Sequence, residues 1–179
     1  MKKIFLAFVI CTATLAKAQN FIPTDDGSKL HFVIKNFGIN TGGDLTGLKG
    51  KIIFDAKNTN KCFFDVTVSV KTIDTDNGKR DEHLRKEEYF DVATYPVLHL
   101  VSTKIEPGAD LKHFIFKGNL TIKNITKPIS FPFTAEGKTG GAFFVGSFDI
   151  NRGDFGGGKV SFSLSNKIKV TLNAFAKTQ

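Results

Sequence analysis

Between Cys62 and Thr72 the even positions are Cys62, Phe64, Val66, Val68, Val70 and Thr72, and the odd ones are Phe63, Asp65, Thr67, Ser69 and Lys71. A period of two is the signature of a strand with one face inward and one in water. The same alternation recurs along the chain. Leu30, Phe32 and Ile34 alternate with Lys29, His31 and Lys35; Phe114, Phe116, Leu120 and Ile122 alternate with Lys117, Asn119, Thr121 and Lys123. Ile129, Phe131 and Phe133, then Phe144, Gly146, Phe148 and Ile150, then Val160, Phe162 and Leu164, and finally Ile168, Val170, Leu172 and Ala174 continue it. The pattern predicts strands at about 28–36, 39–48, 50–56, 62–74, 97–105, 113–123, 127–136, 142–151 and 159–176. The second and third are alternatively one bent strand broken at Gly47 and Gly50.

Turn residues fall between these runs: Asp76-Asn77-Gly78, Pro107-Gly108, Gly137 to Gly141, and Gly156-Gly157-Gly158. Connections this short favour antiparallel neighbours, because parallel pairs require long crossovers. Pro132 lies within a strand pattern and so implies an edge or a bulge. Many antiparallel strands with half-polar faces close into a barrel or fold into a sandwich. No repeat or linker divides the chain, and one domain is expected.

Composition adds one feature to the inward face. The chain has 19 Phe, no Trp and 2 Tyr, and many of the Phe fall on apolar positions. A barrel of around eight strands has room either for a filled interior or for one elongated ligand. A solid aromatic core and an apolar cavity are both consistent with the alternation.

The first residues, MKKIFLAFVICTATLAKA, combine two lysines, an apolar run from Ile4 to Ala16 and the triplet Ala16-Lys17-Ala18. This is the pattern of a secretory signal peptide spanning 1–18, with a mature domain at 19–179 that is periplasmic or secreted. The run is short of the roughly 20 apolar residues that cross a bilayer. Cleavage would remove Lys2, Lys3, Lys17 and no acid, taking the formal charge from +8 to +5. It would also leave Cys62 without a second cysteine in the chain, so stability must come from packing. This spread-out basicity suits transient contact with an anionic membrane surface but forms no nucleic-acid stripe.

Residues 76–91 interrupt the alternation with ten charged side chains in sixteen positions. Ile73-Asp74-Thr75, Arg80-Asp81-Glu82-His83-Leu84, Tyr89-Phe90-Asp91-Val92 and Tyr95-Pro96 together resemble the signature segment of the YceI family. Three further stretches resemble that family in order: Ser28 to Phe32, Gly118 to Ile122 with Thr126-Lys127-Pro128, and Ile150 to Gly156. The resemblance runs from about Phe21 to the C-terminus. Lys86, Asn124 and Gly153 depart from the family's common residues.

The resemblance implies an all-β, lipocalin-like antiparallel barrel of about eight strands, with a short helical segment at about 81–91. It implies an exported carrier or sequestering protein, not an enzyme, holding a polyisoprenoid, an isoprenoid quinone or a similar lipid. No cofactor is expected beyond such a lipid. The oligomeric state is open, a dimer included. The expected cavity lining is Phe32, Ile34, Phe64, Val66, Val68, Leu98, Leu100, Phe116, Leu120, Phe131, Phe148, Val170 and Leu172. Arg80, His83 and Arg152 are candidates for a head group at the mouth, since a guanidinium donates two hydrogen bonds to a phosphate.

Within 81–91, Asp81 is expected to cap a helical turn, with Glu87 to Phe90 forming a second. Leu84, Tyr89 and Phe90 should pack on the barrel while Arg85, Lys86, Glu87 and Glu88 face water. Arg80 and Asp81 should pair with each other or with Asp154 and Arg152. His31 and His113 should be solvated and His99 outward. No spacing among His31, His83, His99 and His113 suggests a metal site. Two other functions compete: a structural or stress-related envelope barrel filled by its own side chains, and a metal-assisted enzyme using His83 with Asp81.

Overall fold

A computed structural model describes residues 18–157 and 163–179. The expected signal segment through Lys17 and the start of the last predicted strand, with Val160 and Phe162, lie outside the described residues. The strands are β1 (Gln19–Asn36), β2 (Ile39–Leu45), β3 (Lys49–Phe54), β4 (Phe63–Ser69), β5 (Val97–Pro107), β6 (His113–Ile122), β7 (Ile125–Lys138), β8 (Gly141–Asn151) and β9 (Leu164–Thr178). Among the described residues one α-helix, α1 (Gly78–Arg85), lies between β4 and β5.

Every pairing is antiparallel, and β1 pairs with β9 to close the sheet. The ring runs β1-β3-β4-β5-β6-β7-β8-β9 and back to β1, an eight-stranded barrel. Strand β2 pairs along the second half of β1, beyond the short β1–β3 contact at Gln19 to Phe21. Strands β2 and β3 are therefore two halves of one broken strand, the second of the two sequence readings. Two features make the break. Gly47 has φ +80°, and Asp25 accepts hydrogen bonds from the Gly47 and Leu48 amides, both at 2.9 Å. Asp25 can reach because β1 carries an irregularity between Thr24 and Lys29, with Gly27 at φ +78°. The sequence Thr24-Asp25-Asp26-Gly27 reads as a turn, and so β1 starts about nine residues earlier than its alternation suggests.

The hairpins sort onto two ends. The β3–β4, β5–β6 and β7–β8 connections share one end with Gln19 and Thr178, as the registers Gln19↔Phe54, His113↔Thr134 and Phe21↔Thr178 require. The β1–β2 tip, the segment containing α1, the β6–β7 turn and the β8–β9 connection share the other. Pro132 behaves as expected: β7 pairs with β8 only from Phe133 onward, so Ile125 to Pro132 is an edge on that side.

The core has two parts. The larger cluster includes Phe21, Ile52, Phe54, Phe64, Phe114, Phe116, Phe131, Phe133 and Phe144. Its rings meet edge to face: Phe54–Phe114 at 5.0 Å, Phe54–Phe144 at 5.3 Å and Phe64–Phe133 at 5.6 Å. This geometry sets the positive ring edge against the negative face and contributes about 0.5–1.5 kcal/mol per pair beyond area burial. The smaller cluster joins Leu120, Ile122 and Phe155, with Phe148 and Ile150 against it.

Candidate functional site

The Phe cluster fills the barrel at the end carrying Gln19 and Thr178 and stops short of the other end. Above it lies a cavity of about 420 Å³, within the usual range of about 300–1,000 Å³ for ligand sites. Phe64, Phe116, Phe131, Phe133 and Phe144 form its floor. The wall is aliphatic and aromatic: Phe32 and Ile34 on β1, Val66 and Val68 on β4, Leu98 and Leu100 on β5, Leu120 on β6, Phe148 on β8, and Val170 and Leu172 on β9. All thirteen residues of the expected cavity lining border this space. Three of them, Phe64, Phe116 and Phe131, belong equally to the solid floor, where they are at most 6% exposed. The interior is thus filled at one end and hollow at the other.

The rim is built from the connections of the open end. Thr75, Arg80, His83, Leu84, Tyr89 and Phe90 come from the α1 segment, Lys123 from the β6–β7 turn, and Arg152 and Phe155 from the turn after β8. Residues missed by sequence reasoning include Lys123, Phe155 and the β2 residues Thr41 and Leu45. Lys123 sits at φ +56°, in the left-handed region, at the two-residue turn between Ile122 and Ile125. That tight turn was the signal available in the sequence.

The charged stretch departs from expectation in its details. Helix α1 spans Gly78–Arg85 and so begins three residues before 81 and ends six before 91. Its cap is Asn77, whose side chain accepts from the Arg80 amide at 3.1 Å; Asp81 lies inside the helix. Asp81 is buried, and its Oδ1 accepts from the Thr75 amide at 3.0 Å and the Thr75 hydroxyl at 2.5 Å. Arg80 reaches the same residue, donating from Nε to Thr75 Oγ1 at 2.8 Å and from Nη2 to the Thr75 carbonyl at 2.5 Å. The expected Arg80–Asp81 ion pair is thus replaced by two charges bound to one threonine. A buried polar group needs a partner, and Thr75 takes part in four hydrogen bonds in one place.

Leu84, Tyr89 and Phe90 are half-buried at the cavity, whereas Arg85 turns back to donate to the Lys71 and Ile73 carbonyls at 3.0 and 2.8 Å. Glu87 to Phe90 form the expected second turn, closed by the Tyr89 amide donating to the Lys86 carbonyl at 3.0 Å. Arg152 is buried and donates to the Ser165 carbonyl at 3.1 Å and to the Gly157 carbonyl. His83 contacts the Tyr89 hydroxyl at 3.1 Å, on the exposed side of α1, while Asp81 is buried. The two therefore do not converge. His31 is half-buried with Nδ1 2.5 Å from Asp44, instead of solvated; His99 lies 2.7 Å from Asp65, and exposed His113 lies 2.8 Å from Asp110. Among the described residues, no three His, Cys, Asp or Glu come together as a metal site.

One electrostatic property of the cavity stands out. Among the described residues, Arg80, Lys123 and Arg152 border it, as do His31, His83 and His99, and no Asp or Glu does, although the chain has 17 acids. A chamber with apolar walls and cationic groups at its rim suits a greasy body with an electron-rich end.

These features define a closed antiparallel barrel that encloses an apolar chamber open toward one end. The chain belongs to the YceI-like domain family, whose model matches residues 23–176. A protein YceI of Salmonella arizonae is 30% identical over 179 residues, covering 95% of this chain and 85% of that one. The crystal structure of Burkholderia cenocepacia BcnA superposes with a TM-score of 0.77 at 23% identity, covering 84% of this chain and 96% of that one. A polyisoprenoid binding domain from Saccharophagus degradans, implicated in plant cell wall breakdown, has a TM-score of 0.70 at 13% identity, covering 90% and 99%. The last two likenesses concern the fold.

Proposed function

We propose that this protein binds a long apolar lipid, a polyisoprenoid, an isoprenoid quinone or a similar molecule, inside the barrel, as an exported carrier or sequestering protein. The observation that carries this reading is the hollow of about 420 Å³ between the Phe floor and the α1 rim. Each buried methylene contributes about 0.8 kcal/mol, so a prenyl chain gains more from a dry chamber than from any single hydrogen bond. The polyisoprenoid binding domain of like fold supports the class of ligand. The cationic rim of Arg80, Lys123 and Arg152 supports a head group that accepts hydrogen bonds.

Export rests on Lys2, Lys3 and the apolar run from Ile4 to Ala16, with cleavage near Ala18 to a periplasmic or secreted product. N-terminal sequencing of the protein from an envelope fraction tests that part. The binding reading is tested by thermal melts with farnesol or a long-chain quinone. A ligand that binds only the native state raises the melting temperature in a concentration-dependent way. An unchanged melting temperature at saturating lipid contradicts the proposal.

A further inference from the structure

The β1–β2 hairpin ends in Asn36-Phe37-Gly38-Ile39, with Asn36 paired to Ile39. Phe37 is 76% exposed and Ile39 71%, more than any other large apolar residue among the described residues. Such exposure of two neighbours is a cost in water, and the backbone adds to it. Phe37 has φ +48° and Gly38 φ +79°, the left-handed pair of a two-residue hairpin turn in which Asn-Gly is the favoured sequence. A phenylalanine here is strained and gains no packing in return. Strain kept without a folding benefit is a mark of a functional position.

Position and charge say what the tip faces. Ile34, Asn36 and Thr41, on the strands just beneath it, border the cavity. The Phe37 amide donates to the Ser163 carbonyl at 2.7 Å, which ties the tip to the β8–β9 connection at the same open end. From Phe32 to Gly43 the hairpin carries Lys35 and no acid, and Lys35 and Asn40 are exposed at the flanks. An apolar tip beside a lysine matches a bilayer interface: the ring and the aliphatic chain enter the acyl boundary, and the ammonium meets anionic head groups.

We infer that the Phe37–Ile39 tip is a membrane anchor that docks the open end of the barrel on an anionic lipid surface. A lipid can then move between bilayer and chamber without crossing water. This step rests on the lipid-binding reading for its purpose, but its test is separate. The chain has no Trp, so Phe37→Trp supplies a single reporter at the tip. Leu111→Trp, on the exposed β5–β6 connection at the opposite end, is the control.

Titration with vesicles of phosphatidylcholine and phosphatidylglycerol at seven to three should shift the Phe37→Trp emission to the blue and leave the Leu111→Trp emission in place. Phe37→Asn combined with Ile39→Thr keeps turn and strand preferences, and should lower vesicle co-sedimentation at least tenfold while retaining farnesol uptake from detergent. Emission unchanged at position 37, or equal co-sedimentation of wild type and double variant, overturns the anchor. A wild-type dimer that the double variant converts to monomer, with no vesicle binding by either, also overturns it and makes the tip a self-association surface. Loss of farnesol binding in wild type would instead strike the cavity reading and leave the vesicle result standing.

Discussion

Phe64 on β4 and Phe144 on β8 stand on strands four apart in a ring of eight, and their rings meet at 5.4 Å and 88°. Opposite walls thus touch across the barrel axis at this level. Above them, at the level of Val68 and Leu98, the walls stay apart and the cavity begins. The ring contact supplies a floor, and the floor turns the rest of the barrel into a blind chamber.

Phe144→Ala should remove the T-shaped contacts to Phe21, Phe54 and Phe64 together. Large-to-small core changes of this kind cost about 3–5 kcal/mol. Urea unfolding should show that loss with an unchanged slope, and a loss below about 1 kcal/mol would mean that the floor is loosely packed.

Val68 and Leu120 separate chamber from core. Val68 borders the cavity without belonging to either buried cluster, whereas Leu120 is 7% exposed and packs in the cluster of Ile122 and Phe155. Val68→Trp should fill the chamber, keep the fold and abolish lipid uptake. Leu120→Trp should overpack and cost about 1–3 kcal/mol. Comparison of the two by melting and by lipid uptake checks the assignment; unfolding of Val68→Trp would place that side chain in solid core.

Thr75 joins Arg80 and Asp81. Asp81→Ala leaves the Thr75 amide and hydroxyl without their acceptor in a site where Thr75 is 4% exposed, at a cost of about 1–3 kcal/mol. Asp81→Asn retains one oxygen acceptor and should lose less, as chemical denaturation would measure. Arg80→Ala should weaken a phosphate-headed prenyl lipid more than a neutral one. Equal weakening would assign Arg80 to Thr75 alone.

Burial pushes the Cys62 thiol up from its ordinary range, and the nearby Asp55 carboxylate adds to the rise, while a backbone hydrogen bond with Asp55 opposes them. With the folded thiol titrating above the unfolded one, its contribution to stability is complete below the unfolded value and is lost as pH climbs through the folded value. Alkylation with iodoacetamide at neutral pH should be slow in the native protein and fast in urea, since the thiolate is the nucleophile. Equal rates would contradict the burial.

The alternation carried much of this fold, because a period of two marks which face of each strand is apolar whatever its neighbours. Phe32, Val68 and Val170 fall on the inward face by that period. What the period does not contain is register. Whether Phe64 meets Phe144 or faces empty space depends on how β4 and β8 are staggered around the ring, and that is fixed by hairpin lengths and by the bulge at Asp25 to Gly27. The capping error has the same origin. Asp81 looks like a cap in sequence, but its partner Thr75 lies six residues back on a separate turn, and only the folded chain brings the two together. Phe37 falls between the predicted strands 28–36 and 39–48, and a period of two assigns no face to a residue of the turn.

The most direct test of the chamber is organic extraction of the protein purified from its own cells, followed by mass spectrometry, beside a Val68→Trp sample handled identically. The account predicts a long-chain lipid near one per protein in the wild type and little or none in the variant. Wild-type protein that is consistently empty, and that takes up no prenyl lipid offered in detergent, would contradict it.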